Sequence, residues 1–324
     1  MGRMTDVLIL GGTGWLSSRI ARRWLDDGAR VTCLARGERP APDGAVLVRG
    51  DRDDTGAYDQ LDRDWDEVVD VSSRASHVRD AVAALGDRAA HWTYISSISV
   101  YADADVHGAD ESAALDTPAQ DGDEYEYAAQ KVAAEGFAHA LDDRVHIIRP
   151  GLIVGPGDPS DRFGYWAAAF DRAGTEPVLV PSGDGRFVQV IDVDDLASFA
   201  ANTELTGIRN AIGDPRPFDD VLAAFRAAAA HTGPTVVADD EWLEAHGVQP
   251  WMGEKSLPLW LPIEWSGFMT RSNAAFRAAG GTQTAVETII ARVLEDERAR
   301  GLDRPRRAGL TRSEERELLE ELAS

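Results

Sequence analysis

The sequence predicts an α/β protein, in which a doubly wound parallel sheet is followed by a smaller C-terminal region. Short apolar runs alternate with helical patterns through the first 155 residues, which is typical of right-handed βαβ units. The first apolar run leads directly into a glycine-rich turn, Gly11–Gly14, and then into a helix. The chain has 324 residues, of which 44% are hydrophobic, and this suffices to bury the core of such a fold.

Six strands of the sheet are assigned in order from the apolar runs. They are predicted at Asp6–Leu10, Ala29–Ala35, Ala45–Val48, Asp66–Val71, His91–Val100 and Val145–Ile148. Helices are predicted between them where apolar residues recur at helical spacing, at 16–25, His77–Leu85 and Glu124–Leu141. Gly28 ends the first helix, because glycine readily takes the left-handed backbone conformation that follows a helix terminus.

Beyond Pro150 the pattern becomes less regular. The segment Gly155–Pro159 is rich in proline and glycine and predicts a turn. The elements predicted after it are a helix at Phe163–Ala173, strands at Val178–Val180 and Phe187–Ile191, and a helix at Leu196–Thr203. Asp192 or Asp194 is placed to cap the last of these helices.

The chain divides into two units on this interpretation. Residues 1–162 and 184–214 are assigned to the sheet-forming domain, and residues 163–183 and 215–324 to a smaller, substrate-binding and C-terminal helical region. In the second unit, Thr311–Glu314 fits a capping box ahead of a helix at Glu315–Leu322. The basic piece Arg304–Arg307 is interpreted as a solvated turn.

Composition excludes several classes of function. There are 33 Lys and Arg against 56 Asp and Glu, a net charge of −23, which disfavours nucleic acid and anionic membranes as partners. The single cysteine, Cys33, excludes an internal disulfide framework, and the scattered histidines predict no metal site. No apolar run reaches about 18 residues, and Met1–Gly14 lacks the features of a signal peptide, so we expect a cytoplasmic protein.

The glycine-rich turn predicts a Rossmann-type dinucleotide site. Glycines allow the backbone to approach a pyrophosphate, whose charge is then bound by free N–H groups at the helix start. The residues expected to contact the cofactor here are Gly11, Thr13, Gly14, Trp15 and Leu16. The spacing is G-x-x-G-x-x-S, so Ser17 occupies the slot of the third glycine, where it would loosen helix packing slightly or place a hydroxyl near phosphate.

The end of the second strand predicts which cofactor is preferred. An acid there would bind the ribose 2′-OH of NAD(H), whereas an arginine favours the 2′-phosphate of NADP(H). The sequence has Arg36 after Ala35 and no acid until Glu38, so we expect NADP(H) to be preferred over NAD(H). The alternative is that Arg36 is an ordinary surface residue. Asp51 and Arg52, after the third strand, are placed to flank the adenine.

Tyr127 and Lys131 form the candidate catalytic pair. They lie four residues apart and therefore on one face of the predicted helix, and Lys131 is one of only two lysines in the chain. An ammonium close to the phenol is expected to lower its pKa from about 10, so that Tyr127 exchanges a proton with an alcohol or carbonyl oxygen. Ser97, at the end of the fifth strand, could polarise a carbonyl, with Ser96 and Ser99 as competitors.

These residues together resemble the extended branch of the short-chain dehydrogenase/reductase superfamily, the NAD-dependent epimerase/dehydratase-like family. The resemblance spans roughly residues 5–215 and includes the segments Arg149–Pro156 and Val193–Ala197. It implies that Ser97, Tyr127 and Lys131 are the catalytic residues. It also implies that the nicotinamide and its ribose are lined by Ser72, Ser73, Tyr127, Lys131, Pro150, Gly151 and Ile153, and that a homodimer is possible.

Departures from the family pattern narrow the expected chemistry. The slots that hold Asp and Glu in sugar-nucleotide 4,6-dehydratases are occupied by Ile98 and Ser99, which disfavours elimination of water by that route. The slot of the epimerase arginine that binds a diphosphate corresponds to Val188, with Arg186 two residues earlier. The second departure, with the acidic charge of the chain, weakens the case for an anionic sugar-nucleotide substrate without excluding it.

Aromatic residues dominate the segments expected to contact substrate. Ser99, Phe163, Tyr165 and Trp166 are the candidates, and Trp251, Trp260 and Trp265 follow later in the chain. Such residues favour a small apolar or aromatic carbonyl, alcohol or imine. The alternative is that each ring lies in the core, since nine tryptophans must be packed somewhere.

Three functions remain open at this stage. We expect an NADP(H)-dependent oxidoreductase that transfers hydride between nicotinamide and a small carbonyl or alcohol. The alternative is an isomerase resembling nucleotide-sugar epimerases, which retains its NAD and oxidises and then reduces one sugar carbon. A non-catalytic RNA-binding or regulatory relative of this fold is the third, which Tyr127, Lys131 and the acidic charge argue against.

Overall fold

The structure, a computed structural model, describes residues 4–324, so the first three residues of the predicted first domain lie outside the described residues. The strands are β1 (Asp6–Leu10), β2 (Arg30–Ala35), β3 (Val46–Arg49), β4 (Trp65–Asp70), β5 (Ala89–Ile95), β6 (Val145–Pro150), β7 (Leu152–Val154), β8 (Val178–Pro181), β9 (Phe187–Val188), β10 (Val190–Asp192), β11 (Gly207–Ala211), β12 (Arg216–Pro217), β13 (Thr235–Ala238), β14 (Gln249–Trp251), β15 (Gly253–Glu254), β16 (Ser256–Pro258) and β17 (Ala308–Gly309). The helices are α1 (Trp15–Asp26), α2 (Ala75–Leu85), α3 (Tyr127–Ala138), α4 (Arg162–Ala173), α5 (Val193–Ala200), α6 (Phe218–Ala228), α7 (Asp240–Ala245), α8 (Ala274–Ala278), α9 (Val286–Arg300) and α10 (Arg312–Leu322).

A parallel sheet, of seven strands in the described part of the chain, has the order β11-β6-β5-β4-β1-β2-β3. The chain builds outward from β1 to β3 in one direction, and then from β4 to β11 in the other. The direction reverses between β1 and β4, and ligands of doubly wound sheets bind outside the carboxyl ends of the strands at such a point. The predicted α/β fold with a doubly wound parallel sheet is therefore confirmed.

Both faces of this sheet are buried, as the apolar runs predict. Along β1, Leu8 and Leu10 belong to the core under α2 and α3, whereas Val7 and Ile9 belong to the core under α1 and α5. The alternation follows from the two-residue repeat of a strand. Because helices cover both faces of the sheet, the four residues of β1 that follow Asp6 are all apolar.

The fifth strand is shorter than the sequence indicates. The prediction of a strand over His91–Val100 is wrong at its end, because β5 stops at Ile95 and Ile98–Val100 forms a 3₁₀ turn. Ser97 begins this turn, and its hydroxyl accepts a hydrogen bond from the Ser99 N–H at 3.1 Å. The turn places the serines at the edge of the sheet instead of within it.

Two other boundaries also differ from the prediction. The helix predicted from Glu124 begins at Tyr127, because the Glu126 carboxylate accepts the Ala129 N–H at 2.7 Å and caps the first turn. The strand predicted over Phe187–Ile191 is divided between β9 and β10 at Gln189. The buried side chain of Gln189 binds backbone groups of Arg271 and Gly213, which turns it away from strand pairing. The edge strand β11 was not predicted.

The caps named from the sequence are present. Asp192 accepts the Asp194 N–H at 2.8 Å at the start of α5. At the start of α10, Thr311 and Glu314 form the predicted capping box. These interactions are local, since each joins residues two or three positions apart, and this is why the sequence pattern predicts them.

A third core cluster lies in the C-terminal region, where α4 packs against α6 and α9. Phe163 contacts the ring of Phe225 at a centroid distance of 4.7 Å, and Tyr165 contacts that of Trp166 at 5.0 Å. The Trp166 indole also donates to the Pro258 carbonyl at 2.7 Å. Helix α4 is therefore enclosed on nearly every side. No helix within residues 4–324 combines the length and the apolar character that crossing a membrane requires.

The basic piece Arg304–Arg307 is not a solvated turn, and that prediction is wrong. Arg304 and Arg306 both bind the buried carboxylate of Glu297, at 2.9 Å and 2.6 Å. Arg304 also pairs with Asp161, which immediately precedes α4 in a left-handed conformation with φ of 61°. The C-terminal segment therefore fixes the start of α4, because two buried acids need cations beside them.

Candidate active site

The turn after β1 requires glycine at two positions for different reasons. Gly11 takes a φ of 86°, in the left-handed region that glycine occupies without strain. A Cβ on Gly12 would lie 2.5 Å from the Cys33 sulfur on the adjacent strand β2, so no side chain fits there. The turn therefore lies directly against the sheet, and α1 begins immediately after it.

Ser17, in the slot of the third glycine, holds the turn together. Its hydroxyl donates to the Gly11 carbonyl at 2.6 Å and accepts the Gly14 N–H at 2.9 Å. The side chain is only 2% exposed. The expectation that a serine loosens this packing is wrong, because both hydrogen bonds of its hydroxyl stay inside the turn.

Two cavities meet at the glycine turn. One has a volume of about 390 Å³ and extends over β2 and β3, and the other has a volume of about 620 Å³ and extends over β5 and β6. Gly11, Gly14 and Val71 line both. We call them the outer cavity and the inner cavity. A ligand that crosses the turn would occupy both, as an extended dinucleotide does when its pyrophosphate lies on the turn.

Every residue predicted to bind the cofactor lines one of these cavities. The outer cavity contains Gly11, Thr13, Gly14, Arg36, Asp51, Arg52 and Ser72. The inner cavity contains Trp15, Leu16, Ser73, Tyr127, Lys131, Pro150, Gly151 and Ile153. The predicted catalytic residue Ser97 and its competitors Ser96 and Ser99 also line the inner cavity. The structure thus brings together residues at the ends of the six strands β1 to β6, although their contact with a cofactor remains a prediction.

The outer cavity is bordered by exposed arginines. Arg36 is 62% exposed on its side chain and reaches Glu38 at 3.3 Å, a pair that solvent screens strongly. Arg39 and Arg74 line the same cavity, and neither has an ion pair among residues 4–324. Glu38, Asp51 and Asp53 line it as well, so both carboxylates and guanidinium groups border the place expected for the adenosine ribose.

Arg52 is held rigidly at the base of the outer cavity. Its guanidinium binds both carboxylate oxygens of Asp70, at 2.8 Å and 2.7 Å, and also reaches the Tyr58 hydroxyl and the His77 carbonyl. Burial opposes the charge of Arg52, but the Asp70 carboxylate more than offsets this and raises its pKa. The position of the Arg52 side chain is therefore fixed, because its hydrogen-bonding groups are already bound by other residues of the protein. A fixed side chain is what we expect of a residue that flanks the adenine.

Lys131 lies at the floor of the inner cavity, only 3% exposed. Its amine donates to the Ser72 carbonyl at 2.7 Å and to the Ile95 carbonyl at 2.6 Å, and so joins the ends of β4 and β5. It also lies 4.8 Å from the centre of the Tyr94 ring and 6.0 Å from that of Tyr127. Burial lowers the pKa of Lys131 to about 7, although Asp70 and Glu135 favour the charged form.

The pKa of Tyr127 is shifted in the direction opposite to the prediction. Although 41% of the residue is exposed, the cleft around its phenol desolvates the charged form and raises the pKa above its ordinary value. A hydrogen bond with Ser97 and the charge of Arg162 act in the other direction and lower it. The expected effect of Lys131 is not among the causes. The pair is adjacent, as predicted, but the lysine does not by itself acidify the phenol.

The three serines have different partners. The Ser97 hydroxyl interacts with the Tyr127 phenol and donates to the Ser99 hydroxyl at 3.1 Å. Ser96 instead donates to the Glu135 carboxylate at 2.5 Å, away from the phenol. Ser97 is therefore the serine whose hydroxyl lies beside the candidate acid, while Ser96 is committed to a buried network.

The buried network to which Ser96 belongs lies behind the candidate site, and it was not predicted from the sequence. Glu135 binds Arg149 through two hydrogen bonds, at 2.9 Å and 2.6 Å, with both side chains almost fully buried. Arg149 continues to the Tyr101 hydroxyl at 2.9 Å, which donates to Asn210 at 2.6 Å. The available signal was the position of Glu135, four residues after Lys131 and so on the same face of α3.

Three of the four predicted substrate residues do not line the inner cavity. Phe163, Tyr165 and Trp166 are at most 1% exposed and lie in the core around α4, so the expectation that they contact substrate is wrong. Ser99 does line the cavity. The physical reason is that α4 is covered by α6 and α9, and a helix covered on this many sides places even its aromatic residues in the core.

Of the later tryptophans, only Trp251 lines the inner cavity. Trp260 is buried, with its indole donating to Asp240 at 3.0 Å, and Trp265 is 49% exposed outside the cavity. Residues that sequence reasoning did not select complete the lining: Asp158, Pro159, Ser160, Arg162, Met252 and Phe268. They come from the loop before α4 and from the segments around β14 and after β16, which only the tertiary structure brings to the cleft.

Arg186, the nearest arginine to the epimerase diphosphate slot, is not available to a ligand. It is 7% exposed, donates to the Leu261 carbonyl at 2.7 Å and pairs with Asp240. Neither Arg186 nor Val188 lines the inner or outer cavity. The departure from the epimerase pattern in the sequence thus corresponds to an arginine that supports the fold.

Sequence and structure comparisons support the same fold. The family described as "NAD dependent epimerase/dehydratase family" matches residues 7–202, which is more than half of the chain. No curated protein sequence matches the chain. Among solved structures, a proposed epimerase from Burkholderia cenocepacia J2315 is 22% identical with a TM-score of 0.71, over 92% of this chain and 100% of the other.

Two further structures add chemical context. TunA, an NAD-dependent NDP-hexosamine 5,6-dehydratase involved in tunicamycin biosynthesis, is 21% identical with a TM-score of 0.67, over 92% of this chain and 99% of its own. The enzyme WbmG from Bordetella bronchiseptica, solved with NAD and UDP, is 15% identical with a TM-score of 0.67, over 93% of this chain and 97% of its own. At these identities the likeness establishes the fold.

Proposed function

The chain belongs to the NAD dependent epimerase/dehydratase family, and from this premise we propose that it is an NADP(H)-dependent oxidoreductase acting on a small carbonyl or alcohol. One observation carries the proposal. The Ser97 hydroxyl, the Tyr127 phenol and the Lys131 amine line one cavity that meets, at the glycine turn, a second cavity bordered by arginines. This is the arrangement that a hydride-transferring site needs, with a proton donor and a cofactor path in one cleft.

The residues present fit a nicotinamide dinucleotide. Gly12 and Gly151 have no space for a Cβ, since each would lie 2.5 Å from a neighbouring side chain, and Gly11, Gly14 and Gly151 line the cavities themselves. The start of α1 would offer N–H groups to a pyrophosphate, and Lys131 in its protonated form would have a third N–H, beyond those bound by two carbonyls, for a ribose hydroxyl. When bound, the nicotinamide supplies or accepts the hydride.

The side chains of this protein then handle the proton. In the reducing direction, Ser97 donates a hydrogen bond to the carbonyl oxygen and Tyr127 transfers its proton to that oxygen as the alkoxide charge develops. In the oxidising direction, the ionised phenol removes the alcohol proton. The raised pKa of Tyr127 keeps it protonated at neutral pH, which suits the reducing direction.

The decisive test removes the phenol hydroxyl. We expect Tyr127→Phe to reduce turnover by about 10²–10⁴-fold, the usual contribution of a positioned general acid, while the Kd for NADPH changes little. The measurement combines loss of NADPH absorbance over a panel of carbonyl compounds with titration of NADPH fluorescence. Tyr125→Phe, which alters an exposed tyrosine two residues away, is the matched control. Activity that persists in Tyr127→Phe would move the proton donor elsewhere.

The preference for NADP(H) rests on the arginines of the outer cavity. Arg36 can exchange its exposed contact with Glu38 for a 2′-phosphate, and Arg39 and Arg74 stand nearby. A hydrogen bond between charged groups contributes about 1.5–3 kcal/mol, and the exposure of Arg36 favours the lower end. We therefore expect Arg36→Ala to weaken NADPH binding about tenfold while NADH binding stays within twofold. An unchanged NADPH/NADH ratio would contradict the proposed preference.

The substrate compartment is predominantly apolar. The lining of the inner cavity includes the apolar side chains of Leu152, Trp251, Met252 and Phe268. Such a wall favours an apolar or aromatic body on the substrate. The carbonyl panel for the activity test therefore begins with aryl and branched aliphatic ketones and aldehydes.

A nucleotide-sugar epimerase is the second candidate, favoured by the family match and by the UDP present in the WbmG structure. Such an enzyme would retain its NAD and show no net use of added NADPH. The distinguishing observation is the cofactor content of the purified protein, measured after denaturation. Bound NAD together with interconversion of UDP-sugars would replace the oxidoreductase proposal.

A further inference from the structure

Arg162 is the one arginine among residues 4–324 that lines the inner cavity. It is the first residue of α4, and its guanidinium lies 4.9 Å from the centre of the Trp251 ring. Its Nε donates to the Ser160 hydroxyl at 3.3 Å. Stacking on the indole and the bond to Ser160 orient the planar group, with both terminal nitrogens left for another partner.

The charge of Arg162 is not neutralised by the described part of the protein. Within residues 4–324 it forms no ion pair, and the acid closest in effect is Asp158. Both carboxylate oxygens of Asp158 already accept hydrogen bonds from Ser160, each at 2.8 Å. Asp158 is also buried, which raises its pKa, so it offers Arg162 only partial compensation.

A largely desolvated guanidinium without an ionic partner calls for an anion. Burial lowers the pKa of Arg162, which shows that the protein does not fully compensate the charge. By contrast, Glu135 with Arg149 and Glu297 with Arg306 form buried ion pairs. Arg271 is also buried without an ion pair among residues 4–324, but it lines neither the inner nor the outer cavity. The side chain also acts on the reacting group, because its charge lowers the pKa of the Tyr127 phenol.

We propose that Arg162, stacked on Trp251, binds a carboxylate of the substrate, so that the substrate is a keto acid or hydroxy acid with an apolar body. The inference rests on the proposed function for the reacting carbonyl or alcohol, and it names the group that orients this compound. A carboxylate matches the two free nitrogens of a guanidinium in a bidentate pair. A diphosphate fits less well, because Lys131 is the only other cation of the described chain that lines the inner cavity, and its amine is engaged by two carbonyls.

The architecture behind Arg162 supports a fixed rather than a mobile anchor. The preceding residue, Asp161, is held by Arg304 and by the Arg307 N–H, the latter at 2.9 Å. The backbone N–H of Trp251 donates to the Trp260 carbonyl at 2.9 Å, and this hydrogen bond holds Trp251 in place. A carboxylate bound between these two fixed segments would sit at a set distance from Tyr127, and this would select the length of the spacer between the carboxylate and the reacting carbon.

The test measures binding and does not depend on turnover. Benzoate is the anionic probe, benzamide its neutral isostere and UDP the diphosphate probe, each titrated by calorimetry into the wild-type protein, Arg162→Met and Arg162→Lys. Arg23→Met, which removes an exposed arginine on the outer side of α1, is the control. Urea unfolding of each variant confirms that it is folded at the temperature of the titration.

We expect benzoate to bind the wild-type protein at least tenfold more tightly than benzamide does. Arg162→Met should weaken benzoate at least tenfold and change benzamide less than twofold, while Arg162→Lys restores part of the loss. Equal benzoate affinity in the wild-type protein and Arg162→Met would overturn the proposal. UDP could instead bind more tightly than benzoate and lose its binding in Arg162→Met. That result would overturn the proposal that Arg162 binds a carboxylate, and would favour a diphosphate.

The proposed function fails on a different readout. If NADPH does not bind, or if Tyr127→Phe remains active, the oxidoreductase assignment is lost whatever benzoate does. If NADPH binds the wild-type protein and Arg162→Met equally and the carbonyl panel shows turnover only with neutral compounds, the oxidoreductase assignment stands and the carboxylate site is refuted. The two hypotheses are thus tested separately in the same set of variants.

Discussion

Lys131 provides the sharpest quantitative prediction, because its amine is buried in the folded protein and exposed in the unfolded chain. The folded pKa is about 7, against an ordinary value of 10.5. Between these two values the unfolded chain binds more protons than the folded protein, so the contribution of Lys131 to stability becomes more favourable as the pH rises. Below pH 7 both states are protonated and the full penalty for burying the ammonium remains.

The magnitude follows from the size of the shift. One pKa unit corresponds to about 1.4 kcal/mol, so the difference between about 7 and 10.5 amounts to about 5 kcal/mol over the whole titration. Over the accessible range from pH 7 to pH 9, the folded amine loses the rest of its proton while the unfolded amine keeps it. Wild-type protein should therefore gain about 2 kcal/mol relative to Lys131→Met across this range.

The assay is urea unfolding followed by tryptophan fluorescence at pH 6, 7, 8 and 9, for the wild-type protein and Lys131→Met. The variant cannot form the hydrogen bonds to the Ser72 and Ile95 carbonyls, which gives an offset that does not depend on pH, and the growth of the difference above pH 7 isolates the titration. Lys255→Met, which removes the only other lysine, is the control for losing an amine. A difference that is constant from pH 6 to pH 9 would show that the buried amine keeps its ordinary pKa, and the account of Lys131 would be refuted.

Two further predictions concern the support of the site. Glu135→Gln leaves the Arg149 guanidinium buried without its acid and should lower the free energy of unfolding by about 3–5 kcal/mol, measured by urea unfolding; a loss below about 1 kcal/mol would contradict the buried pair. Ser17→Ala removes both hydrogen bonds inside the glycine turn and should destabilise by about 1–3 kcal/mol with weaker NADPH binding, whereas Ser18→Ala, on the adjacent residue, serves as the control.

The strands and the first site residues could be predicted because their signals are local. A buried strand shows as an apolar run, the turn after β1 shows as glycines, and the Tyr127–Lys131 pair shows as a four-residue spacing on one helix. Parallel strands of one sheet end at the same edge, so residues after several strands could be expected in one cleft. The residues predicted at these strand ends, together with Tyr127 and Lys131, line the inner and outer cavities.

Other features do not show as an apolar run, a helical spacing or a glycine turn. Whether β5 extends to Val100 was decided by the Ser97 hydroxyl, which begins a turn instead of continuing the pairing. The edge strand β11 has too few apolar residues to be recognised, and its place is given by pairing with β6. Arg304 looked solvated because its acidic partners, Asp161 and Glu297, are separated from it by 143 and 7 residues.

What the sequence by itself determined is therefore the order of the first six strands, the glycine turn and the proximity of Tyr127 to Lys131, since short-range hydrogen bonding and residue spacing are sufficient for each. Only the tertiary structure decided which aromatic rings are core and which face the cleft, because Trp166 and Trp251 look alike until α4 is enclosed by α6 and α9. The same packing placed Arg162 in the cavity without an ionic partner among the described residues. Burial depends on what covers a residue, and the covering segments lie too far along the chain for a local pattern to reveal them.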